Sequence, residues 1–131
     1  MVSLRLAVVS AVLMVAIACG GSSPTSPASP SPMPSPTPTP GAPSAAVAIP
    51  VGAESLGNRA YTPDEVTVAV GTTVIWTNTD SISHTSTSDA NGWNSGTVAP
   101  GGNFSFAFQT TGTFPYHCAI HPGMVGTVVV R

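Results

Sequence analysis

The stretch that decides the fold is GTFPYHCAIHPGMVGTVVVR, residues 112–131. Aromatic and β-branched residues are common at both of its ends, which is typical of strands, and residues 126–131 are predicted to form the last strand. Between these ends, Cys118, His121 and Met124 follow the spacing Cys-x2-His-x2-Met. This spacing places a thiolate, an imidazole and a thioether on one short loop between two strands.

The residues that precede this stretch carry the pattern of further strands. Valines at positions 66, 68 and 70 alternate with other residues, and so do phenylalanines at positions 104, 106 and 108. Alternation with a period of two indicates half-buried strands. Residues 72–78, around Trp76, are rich in β-branched side chains, and turn signals with glycine separate the segments. Short strands without helical periodicity predict an all-β sandwich or barrel, with the tryptophans and phenylalanines in its core.

The donors of the C-terminal loop indicate a copper site. Soft sulfur ligands favour copper, and two histidines, one cysteine and a weak methionine ligand are typical of blue-copper electron-transfer centres. The second histidine must come from elsewhere, either His84 or His117. His117 neighbours Cys118 on a strand, where successive side chains face opposite ways, so His84 is the predicted ligand. Taken singly, Met124 could be a core residue, and Cys118 could be a buried hydrophobe or pair with Cys19.

Several motifs resemble those of bacterial cupredoxins, the plastocyanin/azurin family. They are YTP at 61–63, VTV at 66–68, VIWTN at 74–78, HT at 84–85 and GTFPYHC at 112–118. The resemblance covers nearly all of residues 46–131, and the short ligand loop is more similar to that of amicyanin than to that of plastocyanin. It implies a Greek-key β-sandwich of the cupredoxin type.

The same resemblance implies the ligand set of one type 1 copper ion. The family ligands correspond to His84, Cys118, His121 and Met124 in this sequence. One position departs from the family pattern, because Thr85 follows the first ligand where plastocyanin and amicyanin usually have asparagine. That asparagine braces the ligand loop through hydrogen bonds, so the departure concerns the support of the site rather than its ligands.

The predicted activity is one-electron transfer outside the cytoplasm, with copper cycling between Cu(I) and Cu(II), and not an enzymatic reaction. A copper enzyme would need several further histidines, and only His117 remains once His84 and His121 are ligands. An exported copper carrier or storage protein is the alternative. Such proteins usually present Met-rich or His-rich stretches, whereas the mature chain would have only Met33 and Met124.

The first 44 residues predict export and membrane anchoring. Residues 1–18 combine one arginine with an apolar run that ends in Ala-Ile-Ala, as in a secretory signal peptide. Cys19 follows, which resembles a lipoprotein signal whose cysteine becomes lipidated; ordinary cleavage at the same bond is the alternative. Residues 19–44 form a tether rich in Pro, Ser and Thr that buries too little apolar surface to fold. Residues 45–131 are then the cupredoxin domain, on the periplasmic or cell-surface side of a membrane.

Charge excludes one class of partner. Only 6% of the residues are charged and the formal net charge is −2, so no basic cluster is present to bind nucleic acid. The five acidic residues are spread over positions 54–89, and none lies in the ligand loop, so no charged docking patch is expected. We expect a monomer that meets redox partner proteins through apolar docking around His121 and the membrane through Cys19.

Overall fold

The computed structural model describes residues 41–131. The predicted signal peptide, Cys19 and nearly all of the predicted tether lie outside these residues. Within them, the strands are β1 (Ser44–Ile49), β2 (Glu65–Val68), β3 (Thr73–Asn78), β4 (Thr87–Ser88), β5 (Asn103–Ala107), β6 (Gly112–Cys118) and β7 (His121–Val130). Two short 3-10 helices, Ala53–Ser55 and Gly57–Arg59, separate β1 from β2. The described part of the chain has no helix that is long and apolar enough to cross a membrane.

The strands form two sheets, which confirms the all-β prediction. One sheet has the order β1-β3-β5 and the other has the order β2-β7-β6-β4. β1 runs parallel to β3, and β2 runs parallel to β7, whereas the other pairs are antiparallel. Parallel neighbours cannot be joined by a tight hairpin, so the chain crosses repeatedly between the two sheets. This crossing is the architecture of a Greek-key sandwich.

Aromatic side chains fill the core, as the sequence predicts. Trp76 and Trp93 are fully buried, with ring centroids 5.7 Å apart. Phe104 packs against Trp76 and Phe108 against Trp93, at centroid distances of 5.7 and 5.2 Å. Tyr116, two residues before Cys118 on β6, packs edge-on against Trp76 at 5.5 Å. Because ring pairs bury large apolar areas, this cluster holds the strand that carries the cysteine firmly against the core.

One strand is shorter than its valine pattern predicts. β2 ends at Val68, and Val70 is 45% exposed. The chain turns at Gly71, whose φ of 86° favours glycine. The third valine of the alternating pattern, Val70, therefore lies beyond the end of the strand.

The C-terminal strand is longer than predicted, and the predicted ligand loop is mostly strand. β7 begins at His121 rather than at residue 126, because Cys118 pairs with His121 directly across the turn formed by Ala119 and Ile120. A register shift between His117 and Cys118 accommodates this pairing. The cysteine and the histidine thus face each other across a hairpin.

Candidate metal centre

Three of the side chains predicted as ligands come together in the structure. His84, Cys118 and His121 each offer one donor atom, and these atoms lie within 4.8 Å of one another. The Sγ atom of Cys118 lies 3.7 Å from Nδ1 of His121. His84 and Cys118 are fully buried, whereas His121 is half-buried. Folding therefore unites a residue of the loop after β3 with two residues of the β6–β7 hairpin.

The loop that carries His84 is held by its backbone and by its ring. The backbone of His84 exchanges two hydrogen bonds with Val98, with N···O distances of 3.1 and 2.8 Å. On the ring, Nε2 lies 3.0 Å from Oδ2 of Asp80. The other ring nitrogen, Nδ1, is buried and has no hydrogen-bond partner among the described residues. The imidazole is therefore fixed, with one nitrogen free to bind a ligand.

Cys118 is supported by the residue that follows the first histidine. The backbone N–H of Thr85 donates to the Sγ atom of Cys118, at 3.3 Å. The hydroxyl of Thr85 accepts a hydrogen bond from the backbone N–H of Ala119, at 2.8 Å. Tyr61 donates its hydroxyl to the carbonyl of Thr85, at 2.5 Å. Thr85 thus braces the hairpin turn, the function that the family pattern assigns to asparagine at this position.

The other two residues considered as ligands lie in different surroundings. Met124 is fully buried on β7, three residues after His121. His117 lies on β6, and its Nδ1 is 2.6 Å from Oδ1 of Asp89 in a partly exposed pair. His117 is therefore engaged away from the cluster of His84, Cys118 and His121. Cys118 forms no disulfide within the described part of the chain.

Two polar residues that the sequence analysis did not assign to the site organise the loop before His84. The amide of Asn78 donates to the carbonyls of Ile82 and Val98, at 2.8 and 2.9 Å, and its oxygen accepts from the N–H of Asp80. The signal in the sequence is a pair of Asx residues at the end of the Trp76 strand, Asn78 as its last residue and Asp80 two positions later, because such side chains bond to nearby backbone in turns.

The carboxylate of Asp80 is strongly held as an anion. The hydrogen bond with His84 keeps the pKa of this carboxyl well below its usual range, against a desolvation that would raise it. Backbone N–H groups of Ser81, Gly52 and Ala53 lower the pKa further. An ionised carboxylate therefore lies beside the ring of His84.

The donor set fits copper. A buried nitrogen without a partner costs free energy, so the free Nδ1 of His84 indicates that a ligand belongs there. Thiolate is a soft donor that selects copper, and imidazole also suits copper. Met124, a buried thioether, lies on the same hairpin as Cys118 and His121.

Comparison with known proteins identifies the family. Residues 47–131 match copper binding proteins of the plastocyanin/azurin family. The chain belongs to this family. Plastocyanin of Scenedesmus fuscus is 34% identical to this cupredoxin, over 65% of the chain and 99% of the relative. The chloroplastic plastocyanin of Tetradesmus obliquus is 31% identical, over 63% and 66% of the two chains. The match confirms the predicted copper cofactor. It also confirms the prediction that the protein is an electron carrier and not an enzyme.

Solved structures share the fold of this cupredoxin. A purple cupredoxin from Nitrosopumilus maritimus is 37% identical and superposes with a TM-score of 0.61, over 66% of this chain and 99% of its own. A reduced amicyanin variant is 27% identical, with a TM-score of 0.56, over 67% and 82% of the two chains. These likenesses confirm the predicted cupredoxin sandwich.

Three acidic residues of this cupredoxin lie closer together than their positions in the sequence suggest. Three of its five acidic residues, Asp64, Glu65 and Asp89, line one cavity of about 220 Å³. Glu65 begins β2, which pairs with β7, whereas Asp89 follows β4, which pairs with β6. Neighbouring strands of one sheet therefore gather carboxylates that are far apart in the sequence. Asp89 is also paired with His117, which offsets part of this charge when the imidazole is protonated.

Proposed function

We propose that this cupredoxin carries single electrons through one type 1 copper ion held by His84, Cys118, His121 and Met124. The observation that carries the proposal is the cluster of two imidazoles and one thiol, whose donor atoms lie within 4.8 Å of one another. The burial of Met124 on the same hairpin supports its role as the weak axial ligand. All four residues belong to one chain, which supports a site that is complete in a monomer.

Copper, when bound, supplies the one-electron couple between Cu(I) and Cu(II). The residues of the chain keep the ligands in place while the oxidation state changes. Val98 holds the backbone of His84 through two hydrogen bonds, and the β6–β7 hairpin places Cys118 opposite His121. A donor set that is already positioned by the fold needs little reorganisation when an electron arrives or leaves. This supports electron transfer as the task of the site.

The half-buried ring of His121 is the proposed gateway for electrons. Its neighbours Ile120 and Pro122 are exposed, Ile120 by 51%. Val98, which pairs with His84, is buried, and the next two residues, Ala99 and Pro100, are exposed. These apolar side chains support weak encounters of small area, which are typical of transient redox pairs. The partners in this proposal are redox proteins.

The proposed location is the periplasmic or cell-surface side of a membrane, with the chain anchored through a lipid on Cys19. Support comes from the sequence, because residues 1–18 have the pattern of a secretory signal and Cys19 stands directly after it. The tether of residues 19–44 would then separate the copper domain from the membrane surface. An anchored carrier meets anchored partners at a raised effective concentration.

An optical titration of the protein with Cu(II) tests the copper site. We expect an intense visible band from thiolate-to-copper charge transfer, and we expect Cys118→Ser to abolish it. His117→Gln is the matched control, because that histidine is paired with Asp89 outside the cluster. A colourless Cu(II) complex of the unmodified protein would contradict the proposal.

Copper exchange separates an electron carrier from the alternative of a copper carrier or storage protein. We expect a reversible one-electron couple and slow loss of copper to a chelator, since His84 and Cys118 are fully buried. Rapid release of copper to the chelator, without a reversible couple, would instead favour the carrier or storage function.

A further inference from the structure

We propose that Asp80 is a positioning residue of the copper site, which selects the ring nitrogen that His84 presents to the metal and lowers the reduction potential through its negative charge. This inference rests on the proposed function, because it concerns the same metal centre. Asp80 is not one of the predicted ligands, and it would act on the metal both through the ring of His84 and through its own charge.

The geometry around Asp80 shows a carboxylate held in one place. The residue is only 5% exposed. Its Oδ2 atom lies 3.0 Å from Nε2 of His84, and it accepts from the backbone N–H groups of Gly52 at 3.1 Å and Ala53 at 3.3 Å. Its Oδ1 atom accepts from the backbone N–H of Ser81 at 2.6 Å. The carboxylate thus joins the loop of the first histidine to the turn after β1.

The hydrogen bond with Asp80 indicates which ring nitrogen of His84 carries a proton. An ionised carboxylate can only accept hydrogen bonds, so the proton must be on Nε2 of the imidazole. A neutral imidazole then carries its free lone pair on Nδ1. That is the atom which is buried without a partner among the described residues. Asp80 therefore makes Nδ1 of His84 available for coordination before any metal arrives.

The charge of Asp80 acts on the two oxidation states unequally. A buried anion close to a metal site stabilises Cu(II) more than Cu(I), because Cu(II) carries the larger positive charge. A carboxylate bonded to a ligating imidazole also raises the basicity of the ligand, which again favours Cu(II). Glu54 adds a second carboxylate within 4.8 Å of Asp80 and His84, although Glu54 is exposed. The negative charge and the raised basicity of the imidazole both favour Cu(II), so both lower the reduction potential.

Asp80→Asn is the test, because asparagine keeps the size and one acceptor oxygen but removes the charge. We expect the visible Cu(II) band to remain and the reduction potential to rise. A tenfold loss in the preference for Cu(II) corresponds to about 59 mV for one electron, and we expect at least this shift. Glu65→Gln is the matched control, since it removes a carboxylate that lies outside the cluster of donor atoms. The control should leave the potential unchanged.

The tautomer is measured separately, on the metal-free protein, by nitrogen NMR of the imidazole rings. We expect His84 of the unmodified protein to carry its proton on Nε2, and we expect Asp80→Ala to lose this preference. A proton on Nδ1 in the unmodified protein overturns the proposal, whether or not the variants fold. So does an Asp80→Asn protein that keeps the band and the original potential. An unmodified protein without any charge-transfer band would contradict the proposed function instead.

Discussion

Thr85 holds the two halves of the copper site together through its backbone and its hydroxyl. Its N–H reaches the sulfur of Cys118, and its Oγ1 atom accepts from the N–H of Ala119 and lies 3.0 Å from Oγ1 of Thr87. The residue is only 5% exposed. The hydroxyl of a threonine is shorter than the amide of an asparagine, yet it reaches the hairpin turn because the loop of His84 packs closely on it. At the scale of the residue, a different side chain therefore supplies the same support.

Replacing Thr85 by valine tests this support. Valine has the same shape but no hydroxyl, so the bond to the N–H of Ala119 is lost. We expect the free energy of unfolding to fall by about 1 kcal/mol, the usual contribution of one such hydrogen bond. Urea denaturation of the metal-free protein measures the change. Thr85→Ser, which keeps the hydroxyl, is the control, and a valine variant as stable as the serine variant would show that the hydroxyl contributes nothing.

The β6–β7 hairpin depends on a close approach between a ring and a glycine. Tyr116 pairs with Gly126 across the two strands. A Cβ atom at Gly126 would lie 2.6 Å from both Cζ and Oη of Tyr116. Tyr116 in turn packs against Trp76 and Tyr61, at centroid distances of 5.5 and 4.7 Å, so its ring cannot move aside. At the scale of the element, Gly126 is required by packing and not by its backbone conformation.

Gly126→Ala is predicted to destabilise the hairpin. The added methyl group overlaps Tyr116, and overpacking of a tight core costs about 1–3 kcal/mol. Gly123→Ala is the matched control on the same strand, because a Cβ atom there meets nothing within 4 Å. Thermal unfolding compares the two variants with the unmodified protein. Equal melting temperatures for the two variants would contradict the packing argument.

At the scale of the whole molecule, the copper domain has an acidic cavity and a separate group of exposed apolar residues beside His121. The carboxylates of Asp64, Glu65 and Asp89 line a cavity, whereas Ile120 and Pro122 expose apolar surface beside His121. Long-range steering depends on clustered charge, and short-range docking at the gateway depends on apolar contact. These two surfaces would therefore respond differently to salt.

The proposed anchor is tested on the complete chain in a bacterial host. Lipidation of Cys19 would add hydrocarbon that binds membranes, so the unmodified protein should sediment with the membrane fraction. Cys19→Ala should release it into the soluble fraction. Cys118→Ser is the control, because it removes the other cysteine of the chain and leaves the proposed anchor intact. If Cys19→Ala and the unmodified protein partition equally, the lipid anchor is absent.

The sequence by itself determined the all-β fold class of this protein and the identity of its candidate ligands. Alternating valines and phenylalanines identify strands because side chains of a strand face opposite sides in turn. The spacing of Cys118, His121 and Met124 identifies a metal site because all three residues lie within seven positions. Both signals are local, so no knowledge of strand pairing is needed to find them.

Only the tertiary structure decided how the site is supported and where the charges lie. Asp80 accepts from Gly52 and Ala53, which lie 28 and 27 positions earlier, and Thr85 bonds Ala119 from 34 positions away. Such contacts depend on which strands become neighbours in the sheets. Hydrophobic periodicity predicts which face of a strand is buried, but it does not predict which strand pairs with it. The same reason explains the extension of β7 to His121, since that strand begins where backbone pairing with β6 begins.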